Sequence, residues 1–280
     1  MGGGRKNFLP KEKTDEEGEP GARLDGVNLI EEWSSLKEKM GLKSKYVWNG
    51  EQLQAVDASS TDYLLGLFDS SHMEYHLLSN NSKNPTLAEM TGKAIEILSK
   101  NPKGYVLFVE GGRVDHGHHD TTAHLALDEA VEMAKAVKVA DNATDEKQTL
   151  IVVTADHAHT MSFAGYPVRG NPILSIGGTS DVDTLPYATL SYANGPGYKH
   201  PTDTGNRYDI AKDNMTDVKY TFPGTAPLTS ETHGGDDVAV YAKGPWAELF
   251  TGNFEQNFIM HAMCFSSQIG PAASWVKPSQ

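Results

Sequence analysis

Two apolar runs in this chain stop abruptly at carboxylate and imidazole groups, and nothing else in the sequence constrains the fold as strongly. Residues 105–109, Tyr-Val-Leu-Phe-Val, lead into Glu-Gly-Gly-Arg-Val-Asp-His-Gly-His-His. Residues 150–154, Leu-Ile-Val-Val-Thr, lead into Ala-Asp-His-Ala-His. Short runs of β-branched and aromatic residues bounded by turn formers read as buried strands. An open α/β sheet presents its ligand groups at the carboxyl ends of such strands.

Amphipathic stretches alternate with these runs. Asn28 predicts the N-cap of a helix that presents Ile30, Trp33 and Met40 on one face and is closed by Gly41. A second helix is expected over residues 87–100, and a third from near Asp115 through Val137. A strand at 238–242 and a helix at 258–265 complete the pattern. The alternation predicts an α/β fold with a central, largely parallel sheet flanked by helices. Residues 166–232 are rich in Gly, Pro, Asn, Asp and Thr and read as a small β-and-loop insertion. The expected organisation is therefore a core at 1–165, an insertion at 166–232, and a return to the core at 233–280.

With 280 residues the chain can bury a sizeable core. Its 24 basic and 37 acidic residues give a formal charge of -13, which argues against a nucleic-acid partner. It does not argue against a phosphate substrate, because bound cations reverse the local sign. The single cysteine, Cys264, excludes an internal disulfide framework and a cysteine-rich zinc module, and its apolar neighbours predict a core thiol. Three Asn-x-Ser/Thr tripeptides, at Asn80, Asn142 and Asn214, favour a secreted glycoprotein weakly.

The chemistry-bearing residues fall into groups. Asp115 and His119 are four apart, so on a helix both face one ion, and Glu110 ends the strand just before them. Asp156 and His157 are adjacent and share an ion only from a loop or strand end. His159 is either a third ligand or a histidine that hydrogen-bonds a ligating carboxylate. His233 is a distant histidine set among glycines before an apolar strand. Oxygen and nitrogen donors without thiolates suit zinc and magnesium.

Four motifs in order, Gly-Gly-Gly-Arg-Lys-Asn-Phe from Gly2, Val-Glu-Gly-Gly-Arg-Val-Asp-His-Gly-His-His from Val109, Thr-Ala-Asp-His-Ala-His from Thr154, and Glu-Thr-His-Gly-Gly-Asp-Asp from Glu231, resemble the metazoan alkaline phosphatases. The resemblance implies hydrolysis of phosphate monoesters at alkaline pH, through a phosphoserine intermediate, with two zinc ions and one magnesium ion. It assigns Glu110 to magnesium, Asp115, His119 and His233 to the first zinc, and Asp156 and His157 to the second. His116 and His159 match histidines that support the ligands. Phe68, Asp69 and Asn84 match a calcium site, with Asn84 standing where relatives often carry Asp, which removes one charge. Tyr166, in Phe-Ala-Gly-Tyr-Pro-Val-Arg-Gly, matches a tyrosine that reaches across a homodimer interface, and residues 166–232 resemble the family's crown. The resemblance also implies an extracellular or secreted location with a lipid (GPI) anchor, although no anchor signal is expected within these residues.

The departures are as informative. The family's nucleophilic serine lies in an Asp-Ser-Ala context, and no such tripeptide occurs here, nor does a matching phosphate-binding arginine. The chain therefore reads as a C-terminal part of such an enzyme and is expected to be inactive alone. A sister enzyme such as a sulfatase or phosphodiesterase would share the metal pattern but not these motifs. A catalytically inactive homologue acting as a surface binding protein stays open. A structural zinc module would close its site with four protein ligands.

Overall fold

The computed structural model describes residues 1–80 and 82–274. Its helices are α1 (Leu29–Lys39), α2 (Gly50–Gln54), α3 (Leu87–Leu98), α4 (Arg113–His119), α5 (Ala123–Ala143) and α6 (Asn257–Ser267). Its strands are β1 (Ser44–Val47), β2 (Tyr63–Gly66), β3 (Ile151–Thr154), β4 (Ala158–His159), β5 (Met161–Phe163) and β6 (Ile176–Thr179). Then follow β7 (Pro186–Ala188), β8 (Leu190–Gly195), β9 (Gly224–Pro227), β10 (His233–Gly234) and β11 (Val240–Lys243). The chain divides into two compact units, Met1–Val139 with Thr160–Thr232, and Ala140–His159 with His233–Gln280.

Local chemistry explains the helix ends in the first unit. The Asn28 side chain accepts from the Ile30 and Glu31 amides at 3.1 and 3.2 Å and starts α1. Thr86 and Glu89 form a reciprocal capping box at the start of α3. Each cap satisfies helix-end donors that would otherwise need water and contributes about 1 kcal/mol.

Three apolar clusters form the core of this unit. Val47, Leu53, Val56, Phe68 and Ile97 gather α2 and α3 onto the parallel pair β1–β2. Leu9, Ile30 and Leu67 seat the N-terminal loop and α1. Ala123, Ala188, Leu190, Tyr192, Ile210, Met215 and Phe222 bury one face of β8 against the start of α5. There β8 pairs antiparallel with β5 and parallel with β9, and β6 pairs antiparallel with β7.

The second unit holds two antiparallel pairs, β3 with β11 and β4 with β10. Lys243 at the end of β11 reaches Asp141 at 2.6 Å and Glu146 at 3.3 Å. Trp246 packs edge-on to Phe265 of α6 with ring centroids 5.0 Å apart. Cys264, expected in the core, is half-buried, its Sγ 3.6 Å from the Met260 sulfur.

The α/β class holds, with two differences. The expected continuous, largely parallel sheet is instead five small sheets among the described residues. Residues 105–109 form no ladder: their side chains alternate half-buried and exposed, with Val106 and Phe108 at 76% and 87% exposure. A strand needs a partner for its backbone groups, and β1 and β2 of the same unit pair only with each other. The expected helix from Asp115 through Val137 is two helices. Thr121 between them takes a left-handed φ of 54°, and its carbonyl accepts from the Phe222 amide at 2.9 Å. Tertiary hydrogen bonding there overrides a continuous apolar period.

Candidate metal centre

Asp115 and His119 of the first unit sit on α4. The helix follows Gly111-Gly112, carries Asp115 in its first turn and histidines in its last, the charge order that the helix dipole favours. Gly117 is buried, and a Cβ there would meet the Ala126 amide nitrogen at 2.8 Å, so only glycine lets α4 approach α5 this closely. The helix spacing places His119 Nε2 3.3 Å from Asp115 Oδ2.

Glu231 fixes His119 from both sides. His119 Nδ1 hydrogen-bonds the Glu231 carbonyl, and the Glu231 amide donates back to the His119 carbonyl at 2.8 Å. A carbonyl only accepts, so Nδ1 carries a proton, and Nε2, turned toward Asp115, is the nitrogen that a neutral ring would offer to an ion. The arrangement is the one by which metal-binding histidines are oriented. The Glu231 side chain is fully buried, and its Oε1 accepts from the Thr160 amide at 2.6 Å and the Thr160 hydroxyl at 2.7 Å. His118 extends the support through a 3.0 Å hydrogen bond to the buried Tyr192 hydroxyl.

His116 lies 3.0 Å from an Arg113 guanidinium nitrogen and edge-on to His72. Burial first, then His72 and Arg113, hold its imidazole below the ordinary histidine pKa. Arg113 also stacks 3.7 Å over the Tyr75 ring. Glu110 is exposed at the end of the unpaired run.

In the second unit the β4–β10 register sets His159 opposite His233. The His157 and His233 rings stack with centroids 3.5 Å apart, and His159 stands edge-on to both at 5.3 and 5.2 Å. Asp156 is exposed, its Oδ2 3.2 Å from His157 Nε2. The ladder thus brings the distant His233 beside the closely spaced His157 and His159.

The residues matched to calcium sit in the first unit. Phe68 is fully buried and Asp69 half-buried beside it. Asn84 is 5% exposed, and its Oδ1 has no hydrogen-bond partner among the described residues. A buried carbonyl-type oxygen left this way costs about 1–3 kcal/mol unless something coordinates it, and an amide oxygen is a donor that a hard cation accepts. Tyr166 is fully exposed.

The structure therefore brings together Asp115 with His119, and His157 with His159 and His233. Sequence reasoning quoted Glu231 within its motif but gave it no role, and it missed Thr160, His118 and Tyr192. The only available signal was a carboxylate two residues before a ligand-type histidine. Glu231→Ala is expected to destabilise the chain by about 1–3 kcal/mol, because two partly buried Thr160 donors lose their acceptor. The main-chain bonds to His119 remain, so zinc binding should weaken only through the lost Thr160 anchor, by roughly tenfold or less. Urea unfolding and competition with a chromophoric chelator measure the two effects, and wild-type values in both would remove the clamp.

With this geometry described, the relatives can be compared. A family model described as alkaline phosphatase matches residues 1–269. The membrane-bound alkaline phosphatase of Bombyx mori is 49% identical over 272 residues, 97% of this chain and 49% of its own length. The tissue-nonspecific alkaline phosphatase isozymes of Rattus norvegicus and Homo sapiens are 49% and 46% identical over 276 residues, in each case 96% of this chain and 52% of the relative. The chain spans about half the length of the curated relatives it matches. The crystal structure of a cold-active alkaline phosphatase from the psychrophile Shewanella sp. superposes with a TM-score of 0.57 at 22% identity, covering 94% of this chain and 63% of that one, a likeness of fold.

Proposed function

Because the chain belongs to the alkaline phosphatase family, we propose that it supplies the metal-binding part of an enzyme that hydrolyses phosphate monoesters at alkaline pH. The observation that carries this reading is the Asp115–His119 pair, with the His119 tautomer fixed by the Glu231 carbonyl. We assign Glu110 to magnesium, Asp115, His119 and His233 to one zinc, and Asp156 and His157 to another. His116 and His159 steady these ligands, and Phe68, Asp69 and Asn84 hold calcium. When bound, the ions supply Lewis acidity and the positive charge that a chain of formal charge -13 otherwise lacks for a phosphoryl group.

The chain's own side chains hold and orient. Asp115 offers a carboxylate oxygen, His119 a lone pair at Nε2, and Glu231 with Thr160 keeps that nitrogen aimed. Turnover goes through a phosphoserine whose serine these 280 residues do not present in an Asp-Ser-Ala context. The exposed Tyr166 is assigned to a homodimer interface. The location is assigned to the cell exterior, and among the described residues no helix is long and apolar enough to cross a membrane.

The protein carrying these residues, isolated from its natural source, is expected to hydrolyse an aryl phosphate faster at alkaline than at neutral pH. It should lose that activity on chelation and regain it with zinc and magnesium. Absence of hydrolysis after full metal loading would favour the second reading, a surface binding protein that keeps the fold without turnover.

A further inference from the structure

A second donor cluster in the first unit lies outside every residue assigned above. Asp128 and Glu132 are one helical turn apart on α5, so both carboxylates project from one face. His76 begins a short turn at His76–Leu78 that docks on this face. Its Nδ1 lies 2.7 Å from Asp128 Oδ2 and 3.6 Å from Glu132 Oε1, and its backbone amide donates to Glu129 Oε1 at 2.7 Å. The His76, Asp128 and Glu132 donor atoms lie within 4.8 Å of one another. We propose that His76, Asp128 and Glu132 form an additional divalent-cation site, suited to zinc, that staples the 76–78 turn to α5.

The donor chemistry fits such an ion. One imidazole and two carboxylates are a common three-ligand set for zinc, with water completing four. Asp128 and Glu132 are 20% and 5% exposed, so their charge is poorly solvated and calls for a counter-ion. Glu129 adds a third carboxyl, which burial first and then Asp128 push above the ordinary carboxylate pKa. Against these three stand Arg113, whose charge reaches Glu129, and Lys135, which bonds Glu132. Lys135 is mostly exposed, so its ammonium can turn to water when an ion takes its place at Glu132. A metal ion would take the Nδ1 lone pair of His76, with the ring proton carried on Nε2.

The site has a structural consequence. Tyr75, next to His76, stacks under Arg113 and approaches Asp120 with its hydroxyl at 3.4 Å. Arg113 starts α4, the helix that carries Asp115 and His119. An ion at His76 would therefore stiffen the platform on which that helix begins.

Bound zinc is counted by elemental analysis after the chain is stripped with chelator, equilibrated with zinc and desalted. His76→Gln and Asp128→Asn, each checked for native circular dichroism, are expected to bind one zinc fewer per chain than wild type. His124→Gln, on the same helix but bonded to the Thr216 carbonyl, should keep the wild-type count. If His76→Gln does not fold, Asp128→Asn and Glu132→Gln carry the comparison. The inference is overturned if the folded variants retain the wild-type count, or if His124→Gln loses zinc equally. The same variants in an Asp115→Ala, His157→Ala background separate this site from the proposed catalytic ions. A one-zinc drop must persist there even though the other ions are gone.

Discussion

Assayed alone with an aryl phosphate and saturating zinc and magnesium, the 280-residue chain is expected to turn over on the order of 10⁴-fold or more below relatives that carry the serine. The cost follows from the residues present. On the proposed assignment Asp115, His119, Asp156, His157 and His233 bring donors for ions, and ions without a serine in an Asp-Ser-Ala context leave only weak background hydrolysis. Chelator-sensitive turnover within about tenfold of such relatives would refute this, because another side chain would then have to supply the covalent route. Zinc binding should survive in the same preparation, which separates loss of chemistry from loss of fold.

Arg5→Met is expected to cost about 3–5 kcal/mol of stability, since it strands a buried carboxylate. Arg5 is fully buried. It bonds Asp15 at 2.9 Å, also bonds Glu17, and donates to the Leu67 carbonyl at 2.9 Å. Burial alone would raise the Asp15 pKa, but Arg5 and the Glu19 and Glu17 amides hold it below the ordinary carboxylate value. Glu17 is likewise opposed by burial yet lowered by Lys83 and Arg5. Groups with depressed folded pKa values stabilise fully above the unfolded value, about 4, and lose that contribution as pH falls through the folded value. Urea unfolding should therefore show wild-type stability falling below about pH 4, with a shallower fall for Arg5→Met. Equal midpoints and parallel pH profiles would show that this ion cluster contributes nothing.

Much of the candidate site was legible because its signals are local. The four-residue spacing of Asp115 and His119 fixes a shared helix face whatever surrounds it. Asn28 likewise announces a helix start through bonds that span at most three residues. What could not be read depends on distant backbone. The apolar period of 115–137 gave no hint that the Phe222 amide would claim the Thr121 carbonyl and break the helix. The run at 105–109 has strand chemistry, but pairing requires a neighbour that sequence alone does not identify. Glu231 looked like an ordinary acid, because its burial and its hold on His119 come from a contact 112 residues apart in sequence. His159 and His233 are brought opposite each other only by the β4–β10 register.

The break at Thr121 also bears on how the protein can change over generations. A single rigid rod from Arg113 to Ala143 would tie the direction of Asp115 and His119 to every residue along its length. Any insertion or altered packing toward the far end would then swing the ligands. With a hinge residue whose carbonyl is anchored elsewhere, the far end of α5, beyond Ala126 and the Asp128–Glu132 face, is free to drift in composition, curvature and surface charge while the short ligand-bearing segment keeps its aim. Sequence divergence should thus concentrate on the long helix and spare the seven residues before the hinge.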